Sequence, residues 1–183
     1  MDKQGQARIS LAASGRAEEI KEFVLEMMRD LYPPGSYYEN PQDLVFFDDV
    51  YVRPANAEFF VAENAAGEIV GTAAFKPYDR RFPEMDPAFG SEPVCEIVKC
   101  YVHPDYRRQG IGSHLYTAVE QGAREAGYAQ GYLHTSLYLP GGYSFWQSRG
   151  YRIGYWESDQ IVHMSKDWRE ADYSRQDGRL AER

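Results

Sequence analysis

The chain has 183 residues, of which 43% are apolar and 26% charged. That length fits one globular domain, and the balance excludes intrinsic disorder and fibrous repeats. With 20 basic against 28 acidic side chains the formal net charge is −8, which disfavours nucleic acid and anionic membrane as partners and leaves any polyanionic ligand to a local device.

The opening segment MDKQGQARISLAASGRAEEI has no apolar run of signal-peptide length. No later stretch approaches the ~18 apolar residues of a membrane span. Residues 7–12 predict a strand. Ser14 is placed to cap a helix in which Ile20, Phe23, Val24, Met27, Met28 and Leu31 recur at helical spacing. Pro33-Pro34-Gly35 ends it. Residues 43–51 predict a short helix rich in rings and carboxylates. Residues 58–63 and 69–75 predict a hairpin turning at 64–67. Residues 77–93 hold four prolines and read as a long loop, a length often reserved for function.

Residues 94–102 predict a strand that places Glu96, Val98, Cys100 and Val102 on one face. Its two cysteines, Cys95 and Cys100, lie about 16 Å apart in extended chain, beyond disulfide reach, so the chain reads as a cytoplasmic, reducing-compartment protein. Ile111, Leu115, Ala118, Val119 and Gly122 form a helical stripe ending near Gly127. Residues 131–139 predict a strand, 144–149 a short helix, and 151–156 with 160–164 a closing strand pair. The pattern is mixed α/β. We expect one domain over 1–164 and a polar tail over 165–183.

The informative run is Arg107-Arg108-Gln109-Gly110-Ile111-Gly112-Ser113, between strand and amphipathic helix. Glycines there allow close backbone approach, and the unpaired first amides of a helix form an anion site beside the two arginines. The same glycines would equally serve a tight turn alone. The spacing matches neither a dinucleotide fingerprint nor a Walker A loop. His103, His114, His134 and His163 lack metal-ligand spacing, so no metal is expected.

These residues resemble the GNAT N-acetyltransferase superfamily. Its central motif, [Arg/Gln]-x-x-Gly-x-[Gly/Ala], is matched by Arg107, Gly110 and Gly112, preceded by Glu96, Tyr101, Val102 and Pro104. FVAENAAGEIVGTAAF before it, and LHTS and FWQSRGY after it, follow in the family's order. The resemblance implies a mixed, mostly antiparallel sheet of six or seven strands with helices on both faces. It implies acetyl-CoA as co-substrate, with Arg107, Arg108, Gln109, Gly110, Ile111, Gly112 and Ser113 on the diphosphate and Cys100, Tyr101 and Val102 along the pantetheine arm. An amine would attack the thioester directly, its oxyanion held by a strand amide.

By the same resemblance Glu96 is the candidate general base. Apolar neighbours on its face would raise its proton affinity toward working range. At the family's usual tyrosine acid stands Trp146, whose indole donates hydrogen bonds but no proton. Tyr143, one helical turn earlier, is the candidate acid, with Tyr138 its alternative. Trp146 itself reads as core. The acceptor region would hold Tyr37, Tyr38, Glu39, Asp43, Phe47, Asp48, Asp49, Tyr51, Tyr78, Asp79, Phe82 and Glu84, carboxylates beside rings that suit a cationic amine. Arg80 and Arg81 could instead hold a carboxylate. A small-molecule amine is the expected partner, with homodimers common in the family. A protein N-terminal or lysine acetyltransferase, or a non-catalytic acyl-CoA sensor, are the rival readings.

Overall fold

The computed structural model describes residues 7–169. Its seven strands are β1 (Arg8–Leu11), β2 (Glu58–Glu63), β3 (Ile69–Pro77), β4 (Val94–Val102), β5 (Gln130–Ser136), β6 (Arg152–Trp156) and β7 (Ile161–Asp167). They form one sheet in the order β1-β2-β3-β4-β5-β7-β6. β4 and β5 run parallel, while β1 with β2, β2 with β3, β5 with β7 and β6 with β7 run antiparallel. The helices are α1 (Ala17–Leu31), α2 (Gln42–Val45), α3 (Asp86–Phe89), α4 (Ile111–Glu125) and α5 (Gly142–Ser148). The mixed, mostly antiparallel sheet expected from the sequence is thus present. The described residues group into two compact units, 7–76 with 97–126 and 77–96 with 127–169.

In the first unit, α1 buries Ile20, Phe23, Val24 and Met27 against Phe47, Tyr51, Phe59 and Val61. Its N-cap is Arg16, with no capping side chain. The expected cap, Ser14, donates instead to Asp48 at 2.8 Å. The helix predicted over 43–51 is split into α2 and a π-helical turn, Asp48–Val52. Tertiary packing of Leu44, Phe47 and Tyr51 decides where each turn closes. Two glycines let α4 lie close to the strands. A Cβ on Gly71 would sit 3.0 Å from Leu115 and 3.1 Å from the Tyr101 carbonyl, and one on Gly122 would overlap the Glu58 carboxylate.

In the second unit, the stretch predicted as loop contains a 3₁₀ turn, Pro83–Met85, and α3, because Tyr78, Met85 and Phe89 are core residues packed on Val94 and Tyr132. β7 runs past the expected start of the polar tail, through Ser165 to Asp167, and Trp168 beyond it is only 1% exposed. Residues 170–183 of that tail lie outside the described residues.

Candidate functional site

β4 departs from regular extension at Lys99, whose φ is +54°. The conformation is costly for a side chain and is clamped from two sides. Thr72 donates to the Lys99 carbonyl at 2.7 Å, and the Lys99 ammonium meets Asp43 at 2.9 Å with both side chains largely buried. Burial pushes the Asp43 carboxyl up, but Lys99, with the Tyr51 hydroxyl at 2.7 Å, outweighs it and holds Asp43 below its ordinary range. A group so depressed contributes stability above its unfolded value of about 3.9 and loses it as pH falls through the folded value. Lys99→Met strands a buried carboxylate, which costs about 3–5 kcal/mol at pH 7. We expect chemical denaturation to show that loss shrinking as pH falls and the carboxyl protonates.

The kink also corrects an expectation. Period-two alternation does not survive it, so Glu96, Val98, Cys100 and Val102 do not form one continuous face. Beyond it Cys100, Tyr101 and Val102 are half-buried. Tyr101 packs on the α1 core, which leaves its main chain, not its ring, for a ligand. Burial pushes the Cys100 thiol up to about 12, so it stays protonated and is a poor nucleophile.

The segment 107–113 has the conformation its glycines allow. Arg108 and Gly110 both take positive φ, +64° and +84°. Gly110 caps α4 without a side-chain hydrogen bond, and the first turn carries no acidic residue. Gln109, Gly110 and Arg108 are exposed, Gly112 and Ser113 half-buried, and Ile111 faces the core. Arg107 turns inward to donate from Nε to the Val102 carbonyl at 3.0 Å, tying the loop to the end of β4. A helix start with no capping side chain, no acidic residue in its first turn and an exposed arginine fits a diphosphate.

Within the second unit, pairing register builds a polar cluster. Glu96 lies opposite Tyr132, and His134 opposite His163. Glu96 is 2% exposed but not in apolar surroundings. Arg81 grips both its oxygens, one at 3.0 Å and the other closer. His134 Nδ1 lies 3.9 Å from it, with its ring stacked on His163 at 5.6 Å. His163 is fully buried. Its Nε2 faces Glu157 at 2.9 Å and its Nδ1 the Tyr132 hydroxyl at 2.8 Å. A carboxylate only accepts, so Nε2 carries a proton and donates it to Glu157. Burial pulls His134 below its ordinary value despite Glu96, keeping it neutral at pH 7.

Sequence offers Arg81 as a partner for a ligand carboxylate, whereas here it holds the protein's own Glu96, and the histidine pair carries no sequence signal beyond the missing metal spacing. Tyr132 and His134 are two apart on a strand, a signal for a shared face, but the register setting His163 opposite depends on loops that sequence does not measure. Among the expected acceptor residues, Phe47, Tyr51 and Tyr78 are core, Asp43 is held by Lys99, and Asp49 pairs with Arg53. Trp146 is buried against Phe145 and Tyr151. Tyr143 is half-buried, its hydroxyl 3.4 Å from the Gln147 amide. Among the described residues no group of three or more His, Cys, Asp or Glu could hold a metal, and no helix is long and apolar enough to cross a membrane.

Residues 18–151 match the model of the Acetyltransferase (GNAT) family, and the chain belongs to that family. It is similar to N-acetyltransferase 8 of Mus musculus, with 30% identity over 110 residues, 60% of this chain and 45% of the mouse protein. The chain thus spans about half the length of this relative. Its fold is similar to that of a GNAT-family acetyltransferase from Staphylococcus aureus Mu50, with a TM-score of 0.70 at 20% identity over 88% of this chain and 98% of that one. It also resembles the PaiA N-acetyltransferase from Thermoplasma acidophilum, solved in complex with coenzyme A. There the TM-score is 0.63 at 16% identity, over 90% of this chain and all (100%) of that one.

Proposed function

We propose that the chain transfers an acetyl group from acetyl-CoA to a primary amine of a small molecule, by direct attack within a ternary complex. The observation that carries the cofactor half is the start of α4, where positive φ at Arg108 and Gly110 and the absence of any capping side chain leave a cationic, anion-ready turn. Arg108, Gln109, Gly110, Ile111, Gly112 and Ser113 hold the diphosphate, with Arg107 fixing the turn to Val102. The main chain of Cys100, Tyr101 and Val102 lines the pantetheine arm. When bound, acetyl-CoA supplies the activated acyl group. The protonated state of Cys100 argues for direct transfer over an acyl-enzyme.

Glu96 takes the proton of the attacking amine, and neutral His134 beside it offers that proton a way outward. Tyr143 is the proposed donor to the departing thiolate. A cytoplasmic setting belongs to the same reading.

Calorimetry with acetyl-CoA tests the cofactor half. We expect saturable binding in the micromolar to millimolar range usual for enzyme substrates. Gly110→Val, which forces a β-branched residue to φ +84°, should weaken it about tenfold. Well-folded protein that takes up no acetyl-CoA would remove the reading.

A further inference from the structure

Glu96 presents a demand that the fold itself must meet. A carboxylate that is 2% exposed needs a cation or several donors, and its main partner is the Arg81 guanidinium. That guanidinium comes from the 77–93 segment and is 38% exposed, so it reaches the buried anion from the solvent side. Two rings flank it. Its central carbon is 5.6 Å from the Tyr78 ring centre and 5.2 Å from that of Phe82. One carboxylate and two aromatic faces around a single cation are the elements of an ammonium or guanidinium receptor.

The neighbouring residue behaves differently. Arg80 is anchored by Asp86 at 3.2 Å and by the carbonyls of Gly90 and Glu92 at 3.0 and 3.3 Å. The segment is therefore fastened at 80 while the next side chain points into the receptor. Asp79 is largely exposed and 2.9 Å from the same guanidinium. It gives Arg81 a partner to keep when it leaves Glu96, so displacement need not strand an unpaired arginine.

We propose that Glu96, Tyr78 and Phe82 form a cation site which Arg81 fills in the free protein, and that the acceptor enters by displacing Arg81 with its own ammonium group. The proposal deepens the amine-acceptor reading and rests on it for the word acceptor. The site is defined without the cofactor and is tested without it. Exchange of one cation for another leaves the buried carboxylate paired throughout, so its desolvation is never exposed as a cost. The loop arginine then acts as a tethered competitor and selects for ligands that replace both its charge and its ring contacts.

The test is an NMR titration of the full chain, free of acetyl-CoA, with methylguanidinium. An intramolecular competitor acts at an effective concentration of millimolar or above, so removing it should tighten binding at least about tenfold. We therefore expect R81Q to bind methylguanidinium at least about tenfold more tightly than the unmodified chain, and R81Q/E96Q to lose that gain. R81K keeps a cation without the planar fork and should fall between the two, which decides the matter should R81Q not fold. Equal affinity across the unmodified chain and these variants overturns the proposal, as does a gain that survives E96Q. Acetate binding to the unmodified chain but not to R81Q also overturns it, since Arg81 would then be an anion receptor. Absence of acetyl-CoA binding would defeat the transfer reading and leave this result untouched.

Discussion

Glu96→Gln is expected to lower kcat by about 10²–10⁴-fold, the usual contribution of a positioned base, while the affinity for acetyl-CoA stays unchanged. Glutamine keeps the shape of the side chain but cannot take a proton. It also turns an amide NH₂ toward Arg81, a donor against a donor, where the native carboxylate accepts from both guanidinium nitrogens. Some stability should be lost for that reason, because Arg81 loses its principal charge partner. Kinetics must accordingly be read below the variant's melting temperature. If turnover is retained, Glu96 leaves the mechanism. His134→Ala then decides whether the imidazole 3.9 Å away is the proton acceptor.

The distance between sequence and structure is instructive at Glu96. Its strand and the strand's bounds follow from pattern alone, since residues 94–102 are mostly apolar. Its partner does not. Arg81 arrives from fifteen residues away in a segment that reads as loop, and the anchors that set its path, such as the Arg80 guanidinium donating to the Gly90 carbonyl, are side-chain bonds to main-chain carbonyls, invisible to composition. The kink at Lys99 is hidden for a different reason. Lysine has no preference for positive φ, and the contacts with Thr72 and Asp43 that hold it there are tertiary. The turn at 107–113 was legible because glycine states its conformational purpose locally. In the first unit, the ring-rich stretch before β2 gives two of its rings to the core, because Phe47 and Tyr51 pack with Phe59 at 5.1–5.5 Å, while Tyr38 and Phe46 stay exposed.

Trp168 carries the second large expectation. It follows Ser165, Lys166 and Asp167, whose polarity disguises a strand, yet it is 1% exposed and its amide donates to the Ala129 carbonyl at 3.1 Å. Space for its ring comes from Gly131 on β5. A Cβ there would lie 2.8 Å from Trp168 and 2.5 Å from the Tyr151 hydroxyl. Trp168→Ala therefore opens a cavity beneath the strand that bears Tyr132 and His134, and should cost about 3–5 kcal/mol. At roughly 2–4 °C per kcal/mol for a chain of this size, the melting temperature should drop by about 6–20 °C. Gly131→Ala should cost about 1–3 kcal/mol by overfilling the same space. The two changes share one volume, so together they should cost less than their sum, the alanine methyl entering room the indole has left. A Trp168→Ala protein melting within about 1 °C of the native chain would mean the ring contributes no packing. Strict additivity in the double variant would mean that Gly131 is glycine for some reason other than the indole lying against it.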